Sequence, residues 1–127
     1  MSALVLDAGA FVAVDRGDRA TLARLRAAQQ RGFDLRTSAM VVGQVWRNPR
    51  GRPATLARLL RAVDVRVVDQ PLAGEAGVLI GAAGTSDPID ATVVLVAETG
   101  DRILTSDPDD LALLASTADR RVVVVAC

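Results

Sequence analysis

Histidine and lysine are absent from the 127 residues, so all 15 basic side chains are arginines. The absence of histidine excludes imidazole acid–base catalysis, the Ser-His-Asp triad and most zinc sites. The absence of lysine excludes Schiff-base chemistry and the lysine of the Walker A motif. Carboxylates, arginines, hydroxyl groups and a bound metal ion are the groups that remain for chemistry.

Cysteine and aromatic residues are almost as scarce. Cys127 is the single cysteine and cannot form an internal disulfide, which favours a reducing, cytoplasmic setting. Phe11, Phe33 and Trp46 are the only aromatic residues, so Val, Leu, Ile and Ala must build the core. No apolar run approaches the roughly 18 residues of a membrane span, and the start MSALVLDAGA lacks the positive charge of a secretory signal. We therefore expect a cytoplasmic protein without a membrane segment, folded as one domain over residues 1–127.

Charge is unevenly distributed, although the formal net charge is zero. Residues 16–66 carry 12 Arg and three acids, a net charge of +9. Residues 67–127 carry three Arg and ten acids, a net charge of −7, and Asp7 and Asp15 complete the balance. Such an asymmetry suggests a polyanion partner for the first half and a cation for the second. Solvated helix faces give the same composition, so the charge pattern leaves both interpretations open.

Apolar runs alternate with helical patterns along most of the chain. Strands are predicted at residues 3–7, 33–39, 65–69, 101–106 and 120–126. Helices are predicted at residues 19–32, 38–47, 52–63, 72–84, 87–100 and 107–116. Continuous apolar strands that alternate with helices indicate a three-layer α/β/α sandwich with a mostly parallel central sheet. Sites in such sheets form beyond the carboxyl ends of the strands, which is where Asp7 and Asp107 are predicted to lie.

Two stretches near the C-terminal end repeat one pattern, TSDPIDA and TSDPDDL. In each, the first Asp suits a helix N-cap, the Pro the first helical position, and the second Asp the third position near the positive end of the helix. Capping alone accounts for both copies. The second copy follows a strand, so Asp107 is the acid predicted at the rim of the sheet, and Asp110 caps. In the first copy, Asp90 is predicted to point to the rim, and Asp87 has a capping or outer role.

Carboxylates that converge without a basic side chain repel one another, so such a site is costly unless a cation fills it. Oxygen ligands without His or Cys indicate Mg²⁺, with Mn²⁺ as the alternative. Such an ion polarises a phosphate and generates hydroxide from bound water, and the Arg-rich half offers charge for a phosphate backbone. Asp7 also suits a simpler role, in which it turns the chain into the next helix.

Four motifs cover nearly the whole chain in the order LVLDAGAFVA, TSAMVVGQVWR, SDPIDATVVLVAETG and ILTSDPDDL. Together they resemble the motifs of PIN-domain ribonucleases, specifically the VapC-type toxins of bacterial toxin–antitoxin pairs. The resemblance implies a PIN-like fold and an Mg²⁺- or Mn²⁺-dependent endoribonuclease. It implies Asp7, Asp90 and Asp107 as metal ligands and catalytic acids, with Asp87 as an additional acid at the metal. It also implies a homodimer, an RNA substrate, commonly tRNA or rRNA, and a cognate antitoxin that blocks the site.

One position departs from the family's pattern. The family has a Glu in the central motif, where this chain has Gln44. Gln44 offers a carbonyl oxygen to an ion or to its water, but it has no charge and cannot act as a base. It is therefore either a neutral member of the catalytic site or a helix residue hydrogen-bonded at the rim. The alternative function is a catalytically weak or inactive PIN-like module that binds RNA or an antitoxin.

The stretch WRNPRGR follows the central helix and is the predicted RNA contact. Its arginines Arg47, Arg50 and Arg52 are the residues expected to bind the phosphate backbone, and a solvated loop is the alternative. Trp46 is predicted to pack in the core or at a dimer interface rather than to stack on a base.

Three other α/β classes fit less well. A response-regulator receiver needs a lysine, and this chain has none. A haloacid-dehalogenase-type phosphatase needs a second Asp two residues after Asp7, where Gly9 stands. A dinucleotide-binding domain needs a glycine-rich turn after the first strand, which DAGAFV does not supply.

Overall fold

Five short strands form one sheet in the computed structural model, which describes residues 2–46 and 53–127. The strands are β1 (Ala3–Leu6), β2 (Asp34–Ser38), β3 (Val63–Arg66), β4 (Arg102–Thr105) and β5 (Val123–Ala126). They lie in the order β3-β2-β1-β4-β5, and every neighbouring pair is parallel. The predicted fold class is therefore confirmed, with a sheet that is wholly parallel.

Seven helices in the described part of the chain connect the strands. They are α1 (Ala8–Asp15), α2 (Arg19–Gln30), α3 (Ala39–Val45), α4 (Pro53–Arg61), α5 (Gln70–Ala83), α6 (Pro88–Leu95) and α7 (Pro108–Thr117). Helix α1 contacts α2, α3 and α4, whereas α5, α6 and α7 contact one another. Two helical layers enclose the sheet, which makes the molecule a three-layer α/β/α sandwich. Among the described helices, no single helix is long and apolar enough to cross a membrane. Helices α5 and α6 have the required length and hydropathy only when they are taken together, and they are bent by 110° relative to each other.

The strand order reverses between β1 and β4. From β1 the chain continues to β2 and β3 on one side of the sheet, and it returns to β4 and β5 on the other. Ligand sites in doubly wound parallel sheets form at this switch point, beyond the carboxyl ends of the strands. Leu6 lies beside Leu104 in the register, and the N–H of Asp7 donates to the Leu104 carbonyl oxygen at 3.0 Å. Asp7 and the connection from β4 to α7 therefore meet at the switch point.

Aliphatic side chains fill the core, as the scarcity of aromatic residues requires. Leu6, Ile103 and Leu104 of the two central strands are buried, and Phe11 of α1 is buried with them. Each such side chain contributes about 1.5–3 kcal/mol to folding. Trp46, at the end of α3, is 46% exposed, so the prediction that it packs in the core is wrong. Packing against a second copy stays a prediction.

Most element boundaries differ from those predicted by one to three residues, and two of the differences have a clear cause. Strand β3 covers Val63–Arg66 instead of residues 65–69, because Val63 leaves the helix pattern and pairs with Leu35 in the sheet. Helix α6 ends at Leu95 instead of continuing to Gly100. Beyond it, the Asp101 carboxylate accepts a hydrogen bond from the N–H of Glu98 at 2.8 Å, which fixes a turn.

The same aspartate belongs to a buried ion pair at the amino end of the strands. Asp101 Oδ2 accepts a hydrogen bond from Arg36 Nη1 at 3.0 Å, and its Oδ1 accepts one from the N–H of Ala3 at 2.8 Å. Arg36 Nη1 also donates to the Val96 carbonyl oxygen at 3.2 Å. Both charged side chains are buried. The pair joins β1, β2 and the turn between α6 and β4, at the end of the sheet opposite to Asp7.

Candidate functional site

Asp7 is fixed in position by hydrogen bonds from both sides of the switch point. Its Oδ2 accepts from the Thr105 hydroxyl at 2.7 Å, and its Oδ1 accepts from the N–H of Ala8 at 2.8 Å. The Thr105 hydroxyl in turn accepts from the N–H of Asp107 at 2.9 Å. Asp7 thus lies at the predicted rim and also N-caps α1, so it turns the chain into the next helix.

The environment of Asp7 disfavours its charge. Burial raises the pKa of Asp7, which is 2% exposed, although the hydrogen bonds from Thr105 and Ala8 act in the opposite direction. The negative charges of Asp107 and Asp87 raise the pKa further. A cation next to this carboxylate therefore relieves a repulsion that the fold imposes.

Asp90 shows the same effect more strongly. It lies in the first turn of α6 and is 9% exposed. Burial raises the pKa of Asp90 to about 7, and the charges of Asp7, Asp87, Asp107 and Asp110, in that order, contribute to the rise. Its carboxylate forms no hydrogen bond within the described residues, so it does not close a capping box.

These carboxylates form one group, which we name the acidic cluster. Its members are Asp7, Asp87, Asp90, Asp107 and Asp110. They come from the carboxyl end of β1 and from the starts of α6 and α7. In residues 2–46 and 53–127, no arginine forms an ion pair with any of them. The structure therefore brings together the four predicted acids and adds Asp110.

The two acids at helix N-caps behave differently. Asp87 caps α6 as predicted, because its Oδ1 accepts from the N–H groups of Ile89 at 2.9 Å and Asp90 at 3.4 Å. Asp107 occupies the N-cap position of α7, but its side chain makes no capping hydrogen bond, so that part of the prediction is wrong. Its backbone (φ −121°, ψ 63°) departs from the extended geometry that turns an N-cap carboxylate back to the helix. Asp107 is exposed, and its carboxylate is left for other contacts.

A cavity of about 250 Å³ opens beside Asp90. It is lined by Thr85, Ser86, Asp87, Asp90, Asp110 and Leu114. The hydroxyl of Thr85 is buried and has no hydrogen-bond partner within the described ranges. Asp110, predicted only to cap, lines this cavity and is exposed.

The sequence contained a signal for these additional residues. Both TSDP copies begin with a threonine, and both threonines serve the site: Thr105 holds Asp7, and Thr85 lines the cavity. The helix-cap pattern of each copy involves only its Asp and Pro residues. The repeat therefore predicts more of the site than its acids alone.

Close packing between α1 and the connection after β4 depends on Gly9. A Cβ atom at Gly9 would lie 2.7 Å from the Cβ and 2.9 Å from the backbone nitrogen of Ser106, which is closer than side chains allow. Glycine therefore permits the start of α1 to approach the connection that carries Asp107. The approach keeps Asp7 and Asp107 at the same rim.

Gln44 lies on α3, which contacts both α1 and α6. Helix α3 is joined to α6 through the hydroxyls of Ser38 and Thr92, which are 2.7 Å apart. The Oε1 atom of Gln44 is buried and has no hydrogen-bond partner in the described part of the chain. A buried oxygen left without a partner costs about 1–3 kcal/mol. The carbonyl oxygen is thus not held by a hydrogen bond from any described residue, although one interpretation expected such a bond at the rim.

The arginines predicted to contact RNA, Arg47, Arg50 and Arg52, lie outside the described residues. Their role stays a prediction.

No family model matches this chain, and a search of the curated proteins found no match either. Function must therefore be inferred from the residues and their geometry.

The donor atoms of the acidic cluster fit a hard divalent cation in their chemistry, because they are carboxylate oxygens. Their arrangement is less complete. Within the two described ranges, no group of three or more Asp, Glu or Cys side chains is placed to hold a metal ion. The acids lie within electrostatic reach of one another without forming a shared coordination shell.

Proposed function

We propose that this chain is a metal-dependent endoribonuclease of the PIN-domain class and acts as the toxin of a toxin–antitoxin pair. The acidic cluster carries the proposal, because the charges of its four other carboxylates all raise the pKa of Asp90 and no described arginine pairs with any of the five. The order of the four motifs supports the same class. The location of Asp7 and Asp107 beyond the carboxyl ends of β1 and β4 supports a ligand site there.

Asp7, Asp90 and Asp107 are the residues that would hold the ion, with Asp87 as the additional acid. Mg²⁺ or Mn²⁺ bound by such acids supplies a Lewis acid for a phosphate and lowers the pKa of its water. Thr105 sets the orientation of the Asp7 carboxylate through its 2.7 Å hydrogen bond. The exposed Asp107 carboxylate, free of a capping bond, is the acid that solvent and substrate reach most directly.

The remaining partners belong to the same proposal. The arginine-rich segment 16–66 supplies charge for an RNA backbone, with Arg47, Arg50 and Arg52 as the proposed contacts. The substrate class is RNA, with tRNA or rRNA as the form to test first. A homodimer, a cognate antitoxin and a cytoplasmic location complete the proposal.

Metal binding and RNA cleavage test this function together. Calorimetric titration with Mn²⁺ is expected to show binding to the wild type and at least tenfold weaker binding to Asp90→Asn, which removes a buried charge from the cluster. Asp109→Asn is the matched control, because Asp109 is an exposed acid in the first turn of α7 outside the cluster, and it should bind like the wild type. Purified protein with Mg²⁺ or Mn²⁺ is expected to cleave tRNA or rRNA, and Asp7→Asn is expected not to.

Two outcomes contradict the proposal. Equal, weak Mn²⁺ binding by the wild type and Asp90→Asn contradicts the metal site. A wild type that binds Mn²⁺ normally but cleaves no RNA contradicts the nuclease and leaves the metal site intact.

Gln44 favours a second candidate function, a module that binds RNA or an antitoxin without efficient catalysis. Its side chain adds no charge to the site, and its Oε1 has no partner among the described residues. Gln44→Glu is expected to raise Mn²⁺ affinity about tenfold, because one added charge near the ion needs to contribute only about 1.4 kcal/mol. RNA cleavage should rise with it. Gln44→Met, which removes the oxygen at similar volume, should not raise either quantity.

The same pair of variants separates the two functions. If the wild type and Gln44→Glu both bind RNA and neither cleaves it, the binding module is the better description. If Gln44→Glu leaves Mn²⁺ affinity unchanged, the residue does not lie at the ion.

A further inference from the structure

One side of the sheet opens next to β5, and arginines surround the opening. A cavity of about 170 Å³ lies between α2 and strands β1, β4 and β5. We name it the arginine-rimmed groove. Its rim includes Arg24, Arg31 and Arg102, and its floor includes Leu4, Leu104 and Val125. A cavity of about 150 Å³ accommodates a benzene ring, so this one accommodates a single Leu or Phe side chain.

Within the described residues, the arginines of the rim (Arg24, Arg31 and Arg102) form no ion pair. Among the described residues that line the groove, none is acidic. The charge of Arg24 contributes to lowering the pKa of Asp18. The Asp18 carboxylate, however, caps α2 by accepting hydrogen bonds from the N–H and the hydroxyl of Thr21. Three like charges around one cavity favour an anionic ligand.

The chemistry of the floor favours a peptide over a nucleic acid. A nucleic acid needs a track for phosphates and aromatic faces on which its bases stack. Phe33 is the aromatic residue of the groove, and the guanidinium of Arg102 already covers its ring at 5.3 Å from the centroid. The rest of the floor is aliphatic, and the neighbouring Val123 of β5 is 58% exposed, so the apolar surface continues outside the cavity. Aliphatic surface next to guanidinium groups fits an apolar side chain flanked by carboxylates.

We propose that the arginine-rimmed groove binds an acidic segment of a partner protein. One apolar side chain of the segment packs against Leu104 and Val125, and its carboxylates pair with Arg24, Arg31 and Arg102. Bidentate pairing suits this arrangement, because a guanidinium donates two parallel hydrogen bonds to a carboxylate. The groove shares no residue with the acidic cluster or with the proposed RNA contacts Arg47, Arg50 and Arg52. Arg24 and Arg31 do belong to the arginine-rich segment 16–66, so a labelled RNA is included among the probes.

Fluorescence anisotropy with a defined probe tests the groove. The probe is a short labelled peptide in which glutamates flank a central Leu-Phe pair, and micromolar binding to the full chain is expected. Arg24→Glu/Arg31→Glu should weaken binding at least tenfold. Arg19→Glu/Arg26→Glu makes the same change of charge at exposed positions of α2 outside the groove and should alter affinity less than twofold. Ala27→Phe, which fills the groove and keeps its charges, should also weaken binding at least tenfold.

The controls decide the class of ligand. A peptide with lysines in place of the glutamates should not bind, and equal binding of that peptide overturns the proposal. Failure of the acidic peptide to bind overturns it as well. So does a labelled single-stranded RNA that binds the wild type and loses affinity in Arg24→Glu/Arg31→Glu while the peptide does not bind. If circular dichroism shows that the α2 double variant does not fold, Arg102→Gln replaces it. This variant removes a positive charge of the groove from β4 and should also weaken peptide binding.

Discussion

Replacing Asp101 by Asn is expected to lower the free energy of unfolding by about 3–5 kcal/mol, because the change breaks a buried ion pair from one side. Asp101 is 1% exposed and accepts hydrogen bonds from Arg36, Ala3 and Glu98. An amide offers those donors only one acceptor atom and no charge. The Arg36 guanidinium, 6% exposed, then keeps its charge in the interior with Asp64 Oδ2, 3.6 Å from its Nε, as the remaining acid.

Denaturant unfolding at neutral pH, followed by circular dichroism, measures this loss. Asp64→Asn is the matched control, because Asp64 contacts the same arginine but its side chain is 49% exposed, and an exposed ion pair contributes at most about 1 kcal/mol. The double variant Arg36→Met/Asp101→Asn should be more stable than Asp101→Asn alone, since no unpaired charge stays buried. A loss below about 1 kcal/mol for Asp101→Asn contradicts the stabilising role of the pair.

The parallel sheet could be predicted because local sequence determines it. Continuous apolar runs and the turns between them mark the strands, and parallel strands place their carboxyl ends on one edge. That argument located Asp7 and Asp107. Helix α1 was not predicted over its length, since AGAFVAV lacks a polar face and reads like an extension of β1. Such a helix is apolar all round because both the sheet and other helices cover it.

Contacts between distant segments could not be predicted. Arg36 and Asp101 are 65 residues apart, and nothing in the sequence around either one indicates the other. The arginine-rimmed groove likewise depends on how far α2 extends over β4. The acids at the starts of α6 and α7 were predictable as helix caps, but whether Asp107 caps or stays free depends on the local backbone angles, which Thr105 helps to fix.

Asp90→Asn is expected to stabilise the metal-free protein at alkaline pH while it weakens the response to Mn²⁺. The pKa of Asp90 is raised to about 7 by burial and by the neighbouring carboxylates, against about 3.9 in an unfolded chain. Below pH 4 both states hold the proton, so the burial of charge costs nothing. Between pH 4 and 7 only the folded state holds it, and stability falls as pH rises, by up to about 1.4 kcal/mol per pH unit. Above pH 7 the full cost remains.

Asn carries no charge at any of these pH values, so the stability of the variant does not fall with pH through this residue. The raised pKa of Asp7 contributes a pH dependence of its own, which remains in the variant. Its stability relative to the wild type should therefore increase by roughly 2–4 kcal/mol between pH 4 and pH 8 in the presence of EDTA. Thermal unfolding at both pH values measures the change, and Asp109→Asn should show none. Added Mn²⁺ should reduce the advantage of the variant at pH 8, because the wild type binds the cation more tightly and is stabilised more by it. If the stabilities of the wild type and the variant change equally between pH 4 and pH 8, the ionisation of Asp90 costs no stability. The acidic cluster would then need no cation.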